Sequence, residues 1–113
     1  MAKRRKQPPL SDQALEIVAA RFKALADPTR LRLLRALENG EKNVSQLVAA
    51  TGGLQANVSK QLAALANAGM VGRRKAGLKV FYFIADETIF KLCALMCSRL
   101  QKEFDLKSSH FSG

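Results

Sequence analysis

The chain has 113 residues, 48% hydrophobic and 6% aromatic with no Trp, which suits one compact domain with a core of Leu, Ala, Val and Ile. Its 19 Lys+Arg stand against 9 Asp+Glu, a formal net charge of +10, so a polyanion is the expected partner: nucleic acid first, an anionic membrane surface second. Two Cys and one His exclude a disulfide scaffold and a zinc-finger module.

Residues 1–10 read as a basic flexible arm, with Lys3, Arg4, Arg5 and Lys6 before Pro8 and Pro9. A first helix is predicted over 12–26, capped by Ser11 or Asp12, with Leu15, Val18, Phe22 and Leu25 at helical spacing. A second fits 28–38. Asp27 is a natural N-cap, Pro28 suits the first helical position, and Leu31, Leu34 and Leu37 form the stripe. A third fits 44–51, where Asn43 and Gln46 have capping-box spacing and Gly52-Gly53 breaks the run. A fourth fits 55–68 and is closed by Gly69. Two runs around Ala76-Gly77, Met70 to Lys75 and the aromatic-rich Leu78 to Ile84, predict a two-stranded hairpin. A last helix fits 87–105 behind Asp86, with 106–113 as a flexible tail. The domain proper is therefore 11–105. No apolar run approaches the roughly 18 residues of a membrane span. The basic N-terminus lacks the apolar stretch of a secretory signal, so the cytoplasm is the expected location.

The third and fourth helices, joined by a short Gly-containing turn, form a helix-turn-helix pattern, and a basic hairpin follows as a wing does. The fold class is thus mainly α with a small β hairpin (α+β): a winged helix-turn-helix in the order α-α-α-α-β-β-α. The run Phe22-Lys23-Ala24-Leu25-Ala26-Asp27-Pro28-Thr29-Arg30-Leu31-Arg32-Leu33-Leu34 resembles the opening signature of the ArsR/SmtB family of metal- and stress-sensing repressors. Val44-Ser45-Gln46-Leu47 and Gln55-Ala56-Asn57-Val58-Ser59-Lys60-Gln61-Leu62 resemble that family's helix-turn-helix. The resemblance spans roughly residues 15–100. It implies a repressor that dimerises through its first and last helices.

On the fourth helix, Val58, Leu62 and Leu65 share one face and should be core, while Ala56, Asn57, Lys60, Ala63 and Asn67 point away. The recognition set is Gln55, Ala56, Asn57, Ser59, Lys60 and Gln61. Asn and Gln can pair bidentately with adenine, and Lys can reach guanine or phosphate. Leu54 stands where the family usually has a Ser, and Gln61 where it often has a His, so the base preference is this chain's own. The wing supplies Arg73, Arg74, Lys75 and Lys79, suited to phosphates and a minor groove.

On the last helix, Ile89, Leu92, Cys93, Met96, Leu100 and Phe104 make an apolar stripe. The family's arsenic-type, zinc-type and persulfide-type ligand positions are unmatched. The third-helix stretch 43–48 and the second helix hold no Cys, and Thr88, Arg99 and Lys102 on the last helix are not ligands. Cys93 and Cys97 remain, one turn apart and offset by about 40°. They form a candidate site for a thiophilic ion such as trivalent arsenic or antimony. Two other readings stand beside it: small hydrophobes packed in a dimer interface, or a redox or persulfide sensor. Their geometry disfavours an intrahelical disulfide. His110, the sole histidine, lies in the tail. No nucleophile–base pair, carboxylate pair or phosphate loop stands out, so the chain is read as no enzyme. The expected partners are double-stranded DNA carrying a near-palindromic operator and a second copy of the chain. The expected function is a sequence-specific repressor, released by an ion at the cysteines. The alternatives are a ligand-independent autorepressor and a thiol redox or persulfide sensor.

Overall fold

The computed structural model describes residues 10–107. The basic arm at 1–9 and the tail from 108 onward, with His110, lie outside the described residues.

Helix α1 (Asp12–Leu25) starts where Ser11 Oγ accepts from the Ala14 N–H at 3.1 Å. Helix α2 (Pro28–Ala36) follows Asp27, whose Oδ1 accepts from the N–H groups of Thr29 at 2.7 Å and Arg30 at 3.2 Å. These bonds satisfy donors that the helix itself leaves unpaired. Helix α3 (Val44–Thr51) carries the full capping box. Gln46 N–H donates to Asn43 Oδ1 at 2.9 Å, and Asn43 N–H to Gln46 Oε1 at 2.8 Å. It ends at Gly52, whose φ of 74° is left-handed and whose N–H bonds the Val48 carbonyl. Helix α4 is Gln55–Asn67 and helix α5 is Thr88–Lys107. The backbone of α5 thus runs past 105, where the tail was expected to begin.

The wing is larger than a hairpin. Strands β2 (Val71–Ala76) and β3 (Lys79–Ile84) pair antiparallel, and a two-residue strand β1 (Lys42–Asn43) pairs with the outer edge of β3. The order is therefore α-α-β-α-α-β-β-α. Two residues are too few for any periodicity, and Asn43 is also the cap of α3. Only the approach of β3 turns this stretch into a strand.

The core gathers Leu33 and Leu34 of α2 with Leu37 at its C-cap, Leu47 of α3, Val58, Leu62 and Leu65 of α4, then Met70, Val71, Tyr82 and Ile89. The predicted inner face of α4 is correct. The predicted α2 stripe needs correction: Leu34 and Leu37 are buried, but Leu31 is exposed and Leu33 is fully buried instead. Leu33, Leu34 and Leu37 centre the buried arc of α2 roughly 110° away from Leu31. Helices α1 and α5 differ from this pattern. Among their described apolar residues Ala24 and Ile89 are buried, while Leu15, Val18, Phe22, Leu92 and Met96 are exposed on the single chain.

Candidate nucleic-acid interface

Helix α4 places Gln55, Ala56, Asn57, Ser59, Lys60, Ala63 and Asn67 on its exposed side. Lys60 is the only charged residue of the helix, so nothing on this face repels a phosphate. Leu54 precedes it without a side-chain cap bond, as expected from the missing Ser, and it is exposed. The first N–H groups of α4 are therefore left for another acceptor.

Gln61 is placed differently from its neighbours. It is half-buried, and its Oε1 accepts from Arg30 Nε at 2.7 Å. Its Nε2 donates to Asn57 Oδ1 at 3.4 Å. The side chain thus reaches back to the start of α2 as well as along α4. Periodicity cannot register this, because the partner lies 31 residues away.

The wing residues Arg73, Arg74, Lys75 and Lys79 are all exposed. The register sets Arg73 opposite Tyr82 and Lys75 opposite Val80, on the face that also carries Val71. Arg74 and Lys79 lie on the other face. Arg74 is engaged: its Nε donates to Glu41 Oε2 at 3.1 Å, and its guanidinium lies 5.1 Å from the centre of the Phe81 ring. The hydrogen bond from Arg74 lowers the Glu41 carboxyl below its ordinary range. Glu41 was not a predicted site residue, and nothing in its local sequence marks it. An open cleft nearby is lined by Glu38, Glu41 and Glu87 with Phe83 and Phe90.

Cys93 is half-buried and packs against the core, whereas Cys97 is exposed. Burial, then the neighbouring Cys97 and Glu38, push the Cys93 thiol above its ordinary value. Among the described residues no group of three Cys, His, Asp or Glu side chains is placed to hold a metal ion. Within the described residues of one chain, the two thiols therefore have no third ligand beside them.

Residues 27–72 match the family of bacterial regulatory proteins designated arsR. A transcriptional repressor, the SmtB homologue of Synechocystis sp., is 40% identical over 91 residues, covering 80% of this chain and 68% of the relative. The chain belongs to the arsR family. Its members are DNA-binding transcriptional regulators of winged helix-turn-helix type and not enzymes, and this chain is a repressor of that kind. Another relative is a probable mercury resistance operon repressor of Streptomyces lividans, 39% identical over 66% of this chain and 59% of the relative. Among solved structures, the homodimeric winged helix-turn-helix DNA-binding domain from Mycobacterium bovis superposes with a TM-score of 0.72. It is 33% identical, with 95% of this chain and all of that one covered. The arsR match ends at Gly72, so the wing and α5 rest on these longer comparisons. Among the described residues no helix is long and apolar enough to cross a membrane.

Proposed function

We propose that this arsR-family chain works as a homodimer that reads a near-palindromic operator and is released from it by a thiophilic ion. The observation that carries the DNA reading is the exposed face of α4, free of acidic residues, beside a wing with four cations. Of the predicted reading set Gln55, Ala56, Asn57, Ser59, Lys60 and Gln61, the first five meet bases in the major groove, and Gln61 stands behind Asn57, turned toward Arg30. Arg73, Arg74, Lys75 and Lys79 hold phosphates, which makes binding steeply salt-dependent.

The uncovered apolar faces of α1 and α5 support the homodimer. Leu15, Val18, Leu92 and Met96 are exposed on the single chain, and contiguous apolar surface of this kind marks an interaction site. The Mycobacterium bovis relative is homodimeric. A two-fold pairing would place two α4 helices one helical turn of DNA apart.

Cys93 and Cys97 are the proposed ligands. Two thiolates suit a soft ion, and the Streptomyces relative belongs to mercury resistance. Trivalent arsenic or antimony would draw a third thiolate from across the dimer. The packing of Cys93 against the core favours the second reading, a repressor without an ion, in which both cysteines only fill space.

The test is fluorescence anisotropy on a labelled fragment of the gene's own upstream region, repeated over a salt series. Lys60→Ala and Asn57→Ala should change base preference, whereas Arg73→Ala should weaken all sequences alike. Arsenite, antimonite, cadmium or mercuric ion should release the DNA from the wild type but not from Cys93→Ala or Cys97→Ala. Release by none of them sinks the sensor and leaves the ion-free repressor. Release by a persulfide donor alone turns the cysteines into a redox sensor.

A further inference from the structure

Three side chains join the start of α2 to the exposed face of α4. Arg30 Nη1 donates to the Ala24 carbonyl at 3.3 Å, which anchors the guanidinium beside the end of α1. Its Nε donates to Gln61 Oε1 at 2.7 Å, and Gln61 Nε2 donates to Asn57 Oδ1 at 3.4 Å. Arginine has five N–H donors and no acceptor, and it stays charged. The Gln61 oxygen must therefore face Arg30, which sends the Gln61 NH2 group toward Asn57. Asn57 meets that donor with its oxygen. Its own Nδ2 hydrogens are left facing outward, with no partner among the described residues. The polarity of both amides is thus set at the inner end of the relay.

We propose that Arg30 is a specificity-positioning residue. Acting through Gln61, it presents Asn57 as a donor, so that α4 favours guanine N7/O6 or thymine O4 over adenine, whose N7 acceptor stands beside an N6 donor that a donor-only amide leaves unmatched. The bidentate pairing of asparagine with adenine N6 and N7 needs the amide oxygen as well as the nitrogen; the hydrogen bond from Gln61 takes one of that oxygen's two lone pairs and turns it along α4, which disfavours the adenine pairing. Arg30 itself touches no base. The inference rests on α4 being the reading helix.

Selection from a randomised half-site pool tests it, with wild type, Arg30→Met, Gln61→Met and Asn57→Ala run in parallel. Asn57→Ala identifies the base position that Asn57 reads. Wild type should enrich guanine or thymine there. Arg30→Met and Gln61→Met should both admit adenine at that position alone, by about tenfold relative to wild type. A purely structural role for Arg30 would lower affinity for every sequence equally and leave the preference unmoved. If Arg30→Met does not fold, Gln61→Met, on a half-exposed side chain, carries the test. Adenine enriched by the wild type at the Asn57 position overturns the proposal, as do variants that keep the wild-type preference. If Asn57→Ala changes preference nowhere, the relay orients nothing that reads DNA, and the inference falls while operator binding stands. A wild type that enriches no sequence overturns operator binding and this inference together.

Discussion

Helices α4 and α5 carry apolar stripes of comparable regularity, yet the single chain treats them in opposite ways. Val58, Leu62 and Leu65 of α4 are at most 1% exposed, whereas Leu92 and Met96 of α5 are 42% and 63% exposed. The α4 stripe is enclosed by α2, α3 and β2. The α5 stripe reaches the core through Ile89 and Cys93, whereas Leu92 and Met96 stay exposed. The DNA-reading half is complete within one chain. The half formed by α1 and α5 is complete only with something laid upon it.

The sharpest way to break this contrast is to damage each stripe in turn. Leu62→Ala removes a fully buried side chain. It should cost about 2–5 kcal/mol of unfolding free energy, measured by urea denaturation and independent of protein concentration. Leu15→Asp or Met96→Asp should leave the single chain folded, because both side chains are exposed. Sedimentation should then find monomers, and operator affinity should fall on the order of a hundredfold as two tethered half-site contacts become one. If either variant stays dimeric, the partner's surface has been misplaced.

A smaller effect is expected at the cap between the two halves. Asp27→Ala should lower stability by about 1 kcal/mol, read as a fall in Tm, because the Thr29 and Arg30 N–H groups lose their acceptor.

The smallest effect concerns the two thiols of α5. Burial raises the Cys93 thiol above its ordinary value, so the folded chain keeps a proton that the unfolded chain has already released. This contribution to stability is complete below the ordinary thiol range and is lost as pH rises through the raised folded value. In the Leu15→Asp monomer, iodoacetamide should modify exposed Cys97 first. It should reach Cys93 only at more alkaline pH, followed by mass spectrometry. Equal rates at all pH values would place both thiols in the same environment.

Much of the α2–α4 region was legible in the sequence because its signals are local. Asp27-Pro28, the Asn43/Gln46 box and the Val58, Leu62, Leu65 spacing each act within about one helical turn. Leu31 misled because three leucines at i, i+3 and i+6 look like a stripe, whereas the contacts of α2 select Leu33 in its place. Strand β1 and the Arg74–Glu41 pair were not legible. Each joins residues more than 30 positions apart, through a sheet edge that exists only once β3 has arrived.

By itself the sequence determined the helices, their caps, the basic wing and the inner face of α4. Hydrogen bonding near helix ends and the periods of helix and strand are properties of neighbouring residues. Tertiary structure decided which stripes would be buried and which left open. It also decided that Arg74 would be held by Glu41 and Phe81, and that Gln61 would be turned toward Arg30. Those outcomes depend on what stands opposite a side chain, and the spacing along a helix carries no record of that.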